Sequence, residues 1–201
     1  MRTLIIDNYA PNSPQIEKLY NVISEVTLDV VEIKDYSSMS QSDDLARHDV
    51  IILSGSQRKL AEPDTLVEFG HEVEFIRHTE KPILGICFGH QLIASAFGSD
   101  VRSAGTMLEG YYMVRKIVED ELFAGLPEKF LVMESHEEYV DEVPYEFDNI
   151  ADSPNCTIEA MKHRLKPIYT AQFHTERYDD KHPAGRVILE NFFKFASLFI
   201  G

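Results

Sequence analysis

Two short stretches hold residue types that can do chemistry together. The first is "GICFGHQ", residues 85–91, which sets Cys87 between Gly85 and Gly89. A cysteine that only fills a core needs no glycines beside it, whereas one that must react needs access and a positive local field. An apolar run ends at Ile86 and a helical pattern starts at about Gly89. The thiol would then stand on a tight strand-to-helix turn, the layout of a nucleophile elbow, where glycines relieve the crowding. The helix N-terminus adds partial positive charge and free N–H groups, which favour a thiolate and can hold an oxyanion. The second stretch is "QFHTE", with His174 and Glu176 two apart at the end of a strand pattern. Extended backbone sends positions i and i+2 to one side. Glu176 can therefore fix one ring nitrogen of His174 and leave the other to face a thiol. Cys87, His174 and Glu176 are the candidate nucleophile, base and orienting carboxylate.

Other reactive residue types carry less. Cys156 lies inside a strand pattern without glycines and reads as structural. "HEVEFIRH" (71–78) spaces its histidines by seven, so it does not make the zinc face of HExxH and reads as a solvated helix face. "YDDKHP" lacks the glycine and distal glutamate of a calcium loop, and solvent is its reading too. "GSQRKL" (55–60) has too few glycines for a phosphate loop. His136 fits two roles equally, a packing histidine or a group supporting a bound substrate. No metal or organic cofactor is implied.

The elements that must position these residues alternate through the first half. "TLIID" (3–7), "LDVVEI" (28–33), "DVIILS" (49–54) and "PILGI" (82–86) read as strands. Between them lie a helix opened by Ser13 and Pro14 with Ile16, Leu19, Tyr20 and Ile23 on one face, and another with Leu66, Phe69, Val73 and Ile76. "HQLIASAFG" (90–98) is a helix closed by Gly98. The second half reads as strands at "YYMVRKIV" (111–118), "FLVME" (130–134), "CTIEAMKH" (156–163) and "PIYTAQFH" (167–174), then a helix from about Ala184 to Phe199. The fold class predicted is one α/β domain over 1–201, a mixed, mostly parallel sheet flanked by helices with flavodoxin-like layering.

Composition narrows the function classes. A formal net charge of −15 gives no electrostatic footprint for nucleic acid. No apolar run reaches the length of a membrane span, and the N-terminus reads as a strand rather than a signal peptide. Two cysteines in 201 residues make no disulfide framework. A cytoplasmic, reducing setting is expected.

"ILSGS" (52–56), "PILGICFGHQLIASAFG" (82–98), "ESHEEYV" (134–140) and "PIYTAQFHTE" (167–176) resemble, in order, the class I (triad-type) glutamine amidotransferases. Within that family the "CTIEAMKH" region is most similar to glutamine-hydrolysing subunits of GMP synthases, while "IIDNY" is more similar to chorismate-using relatives. The resemblance implies hydrolysis of glutamine by Cys87, His174 and Glu176 and delivery of ammonia to a separate synthetase, first of all an ATP-pyrophosphatase-type subunit. It implies oxyanion donors at the N–H groups of Phe88 and Ser56. Gln91, Ser135 and the backbone of Glu137 and Glu138 would contact the substrate. Three departures stand out: Thr175 where the family has proline, Ser54-Gly55-Ser56-Gln57 in place of a glycine-rich loop, and a longer 177–185 segment. The loop keeps its N–H donor unstrained only if Ser56 has negative φ. A stand-alone γ-glutamyl amide or peptide hydrolase and a catalytically idle regulatory domain are the alternatives.

Overall fold

The computed structural model describes residues 1–27, 29–39 and 44–200. The apolar runs of the first half form β1 (Arg2–Asp7), β2 (Val30–Asp35), β3 (Val50–Leu53) and β4 (Ile83–Ile86). Between them lie α1 (Pro14–Thr27), α2 (Thr65–Glu68) and α3 (Gly70–His78), and α4 (Phe88–Ala96) follows β4 at once. The second half supplies β5 (Val101–Lys116), β6 (Lys129–Val140), β7 (Phe147–Asp152), β8 (Ala160–His163), β9 (Ile168–Ala171) and α5 (Ala184–Ala196). The strands join one sheet in the order β2-β1-β3-β4-β9-β8-β7-β5-β6. β2, β1, β3, β4 and β9 run parallel, and the remaining pairings are antiparallel.

Both faces of the inner parallel strands β1, β3, β4 and β9 are buried, which is why they are continuous apolar runs, whereas β2 at the edge is half-exposed. Ile5, Ile52 and Leu84 pack with Leu19 and Ile23 of α1 and Ile188 and Phe192 of α5. Leu4, Ile6, Ile51 and Leu53 pack on the other face with Val73 and Ile76 of α3 and Leu92 and Ile93 of α4. The sheet curls, because Met133 of β6 bridges to His174 beyond β9 although their strands lie far apart in the sheet order.

Several boundaries differ from the sequence-based expectation. Leu28 of the expected second strand lies outside the described residues, and the strand observed is shifted to Val30–Asp35. The expected helix of Leu66, Phe69, Val73 and Ile76 is broken into α2 and α3 at Phe69, and Leu66 is exposed. β5 and β6 are long ribbons that begin or end some ten and six residues beyond the apolar cores recognised in the sequence. The added stretch of β5 is mostly exposed, and that of β6 fills its buried positions largely with polar residues, so period-two alternation of apolar groups does not mark them. β7 was missed, and only Ala160–His163 of "CTIEAMKH" is strand. α5 ends at Ala196, with Phe199 exposed beyond it.

The packing at the β4–α4 turn yields a stability test. A Cβ on Gly89 would lie 2.6 Å from the Leu53 carbonyl oxygen, a backbone atom that cannot swing away, whereas Gly70 has nothing within 4 Å. Gly89→Ala should destabilise the fold by about 1–3 kcal/mol, as overpacking does. Gly70→Ala should not, since alanine is the better helix former. Urea unfolding midpoints of the two variants check the contrast.

Candidate active site

Four neighbouring parallel strands, β1, β3, β4 and β9, must leave the sheet along the same edge. The residues just beyond their carboxyl ends therefore meet there, the usual ligand position in open parallel sheets. They are Tyr9, Ser56, Cys87 and His174, and all four line one cavity of about 350 Å³. That volume suits a small molecule.

Cys87 has φ 53° and ψ −102°, and only it and Asn12 among the described non-glycine residues have positive φ. Such a conformation is disfavoured by about 1–3 kcal/mol and persists only when its surroundings hold it. Here the Cys87 N–H donates to Ala171 O at 2.8 Å, and its carbonyl accepts from Gln91 N at 3.1 Å. Gly85 and Gly89 let the turn close: a Cβ on Gly85 would lie 2.6 Å from Gly89 O. Phe88 opens α4, so its N–H is one of the donors a helix start leaves without an intrahelical acceptor. Gln172 Nε2 points at the Cys87 sulfur from 3.8 Å, and the thiol faces Ser135 O at 3.9 Å.

His174 and Glu176 do meet, but not by strand alternation. β9 ends at Ala171, and a turn closed by Arg177 N donating to His174 O carries both side chains inward. His174 Nδ1 donates to Glu176 Oε1 at 2.6 Å, and the His174 N–H donates to Met133 O at 2.8 Å. Burial alone would push the imidazole down, but Glu176 and Cys87 outweigh it and raise His174 to about 10. For Glu176, burial pushes up and His174 and Arg177 pull further down, leaving the carboxyl below its ordinary value. The pair is an imidazolium–carboxylate.

Along β6, Glu134, His136 and Glu138 turn inward, whereas Ser135 and Glu137 are half-buried. The Glu138 carboxylate accepts from Leu60 N at 2.8 Å and Ala61 N at 3.1 Å. Its carbonyl accepts from Gln91 Nε2 and His136 Nδ1, both at 2.8 Å. Gln91 Nε2 also donates to Gln172 Oε1 at 3.0 Å. Gln91, Ser135, Glu137 and Glu138, the expected substrate contacts, all line the cavity, yet the Gln91 amino group and the Glu138 carbonyl already have protein partners. Glu137 is likewise engaged, by Lys59 and Ser103 at 2.7 Å each. Ser56 lies outside the left-handed region, so the loop carries serine without strain.

His136 is buried in the lining of the cavity, where its Nδ1 holds the Glu138 carbonyl and its Nε2 faces Glu134 at 3.3 Å. Cys156 is buried away from the cavity, and burial pushes its thiol up. "HEVEFIRH" is not wholly solvated: Glu72 is buried, accepts from Asn8 Nδ2 at 3.1 Å, and is raised by burial to about 8. "YDDKHP" is solvent-exposed as expected, and it is an ordered turn. Asp179 accepts from the N–H groups of Lys181 and His182, and the His182 ring stacks on Tyr111. No cluster able to hold a metal occurs among the described residues. Tyr9, Gln172 and Arg177 were missed by sequence reasoning. The signal for Tyr9 was its place directly after a parallel strand, the same rule that points to Cys87.

A cysteine at a strained elbow, a buried histidine–carboxylate pair and a curled mixed sheet define a triad-type amidotransferase architecture. The chain belongs to the class-I glutamine amidotransferase family, whose profile matches residues 4–195. A glutamine-hydrolysing GMP synthase subunit of Methanothermobacter thermautotrophicus is 42% identical over 129 residues, 64% of this chain and 68% of that protein. The corresponding subunit of Methanosphaera stadtmanae is 33% identical over 199 residues, covering 96% and 97%. A crystal structure of a protein from Thermoplasma acidophilum, described as a "putative gmp synthase subunit a protein", superposes with TM-score 0.85 at 29% identity, covering 99% of this chain and 95% of the other.

Two measurements follow from the site. A γ-glutamyl chloroketone should label Cys87 and spare Cys156; peptide mapping that finds the adduct on Cys156 alone would remove Cys87 as the reactive thiol. The second is pH-dependent. His174 is raised from 6.5 to about 10 in the fold, so its share of stability is complete below about 6.5 and is lost as pH rises through about 10. The melting-temperature gap between wild type and Glu176→Gln should accordingly shrink between pH 7 and pH 10.5.

Proposed function

We propose that the chain, as one domain over 1–201, is a cytoplasmic glutaminase subunit that hydrolyses glutamine and passes ammonia to a separate synthetase. The observation that carries this reading is the buried His174–Glu176 pair at 2.6 Å beside Cys87, in a cavity of small-molecule size. The relatives support it by their names, which specify glutamine hydrolysis within GMP synthase. No helix among the described residues is long and apolar enough to cross a membrane.

In this mechanism the Cys87 thiolate attacks the side-chain amide carbon of glutamine. The oxyanion is held by the N–H groups of Phe88 and Ser56, and His174 protonates the departing ammonia. The γ-glutamyl thioester is then hydrolysed by water that gives a proton to His174. Glu176 holds the imidazole in orientation throughout. Ser135 and Glu137 form the wall nearest the amino-acid end of the substrate. Gln91 and Glu138 shape that wall through the hydrogen bond that Gln91 Nε2 donates to the Glu138 carbonyl. The acceptor synthetase is of ATP-pyrophosphatase type and works on xanthosine monophosphate.

His174→Ala should abolish ammonia release, and Glu176→Gln should leave a reduced, detectable rate, because the carboxylate orients while the histidine moves protons. Wild-type turnover in His174→Ala would end the mechanism. Adding the synthetase from the same source, with ATP and xanthosine monophosphate, should raise glutamine hydrolysis roughly tenfold or more, equivalent to about 1.4 kcal/mol off the barrier. Fast turnover of γ-glutamyl peptides with no response to that synthetase would instead identify a stand-alone hydrolase. Absence of turnover with every substrate would identify an idle domain.

A further inference from the structure

Tyr9 reaches the cavity from the end of β1. Its side chain is buried at 3% exposure, and its hydroxyl makes no hydrogen bond of ordinary geometry, with only the Arg177 side chain interacting with it as a donor. A buried hydroxyl is disfavoured unless something pairs with it. Tyr9 lines the wall of the cavity, so an occupant of the cavity can supply that partner. Its position is fixed by Gly55. A Cβ there would lie 2.7 Å from Tyr9 Oη and 3.2 Å from His174 Cε1, so the hydroxyl and the edge of the imidazole flank a single point.

Cε1 is bonded to both ring nitrogens. Glu176 takes Nδ1, which leaves Nε2 as the nitrogen that exchanges protons with the reacting atoms. The Tyr9 hydroxyl thus stands beside the His174 ring, in the wall of the cavity that Cys87 and Ser135 also line. Burial, reinforced by Glu176 and Cys87, pushes the phenol well above its ordinary value, with Arg177 pulling the other way. At neutral pH it is therefore an O–H group with free lone pairs and not a base.

We propose that the Tyr9 hydroxyl holds the water that hydrolyses the γ-glutamyl thioester on Cys87, at the place the departing ammonia has left. The inference rests on the glutaminase reading above. The water accepts from or donates to Tyr9 Oη while its other hydrogen points at His174 Nε2. His174 takes that proton as the water oxygen bonds to the thioester carbonyl carbon. The tetrahedral oxyanion then collapses, the C–S bond breaks, and the sulfur leaves with its electron pair. Glutamate departs, the imidazolium–thiolate pair is restored, and Tyr9 neither gains nor loses a proton. Acylation by glutamine does not need this group, because ammonia leaves with a proton from His174 alone.

The test is Tyr9→Phe, which removes one oxygen and keeps the ring. Rapid-quench reactions with glutamine, run with the synthetase and its substrates present, follow ammonia and glutamate separately. The expected result is a burst of ammonia equal to the enzyme, then steady-state turnover slowed roughly tenfold or more, with KM unchanged or lower. Intact-protein mass spectrometry should show the γ-glutamyl adduct accumulating. Hydroxylamine attacks the thioester in place of water, so it should restore turnover as γ-glutamyl hydroxamate, a rescue that mere loss of packing would not give. Wild-type kcat in the variant, or slow ammonia release without a burst, overturns the proposal. Tyr9→Leu, which also removes the hydroxyl and leaves Gly55 and His174 untouched, is the second variant and should give the same burst if Tyr9→Phe folds poorly. Wild-type protein that releases no ammonia under any condition overturns the glutaminase reading and this inference together, whereas an active wild type beside a burst-free variant overturns only the role of Tyr9.

Discussion

The left-handed backbone at Cys87 is the constraint around which the rest of the site is arranged. A non-glycine residue with φ near 53° persists only when its neighbours leave it no alternative. Two of those neighbours act on the main chain of Cys87 directly, Ala171 O on its N–H and Gln91 N on its carbonyl. Two more act by having no side chain. Gly89 lets α4 approach within contact of the Leu53 carbonyl, and Gly85 lets β4 approach Gly89. The nucleophile is therefore held by β3, β4, β9 and α4 at once, and displacing any of them moves the sulfur.

Parallel pairing does the remaining assembly. Because β1, β3, β4 and β9 are neighbours with one direction, the chain ends them all on one edge, and no long loop is needed to bring Cys87 to His174. Residues far apart in sequence meet because their strands are adjacent. The antiparallel half completes the site from the other side. The curl that bonds His174 N to Met133 O lays β6 over the edge and puts Ser135 opposite the sulfur.

How much of this was legible in the sequence follows from which forces leave a local pattern. The parallel strands and the elbow were readable, since burial on both faces makes continuous apolar runs and close approach demands glycine. Cys87, His174 and Glu176 were readable as chemistry because so few residue types can fill their roles. The turn that joins His174 to Glu176 was not, because the alternation argument gives the right contact from the wrong backbone. The far ends of β5 and β6 were hidden because cross-strand pairing, not apolar periodicity, holds polar residues such as Ser103 and Glu138 in register. Glu72 looked solvated because its helix is rich in charge. Only the tertiary position of Asn8, 64 residues away, shows why a carboxyl sits there in the core.

Glu138 shows how these levels combine. Its carboxylate binds two backbone N–H groups just after the loop that carries Ser56, while its carbonyl holds Gln91 one turn after Cys87. Hydrogen bonds to a charged acceptor contribute about 1.5–3 kcal/mol each, so the loop, the nucleophile helix and β6 are tied through one residue. A shift of β6 therefore cannot leave the Ser56 loop where it was. The loop's departure from a glycine-rich sequence then has a physical reading: with Ser56 unstrained and Leu60 and Ala61 clamped, rigidity that a glycine-rich loop would lack comes from strand β6. The Ser56 side of the cavity and its β6 wall move as one body.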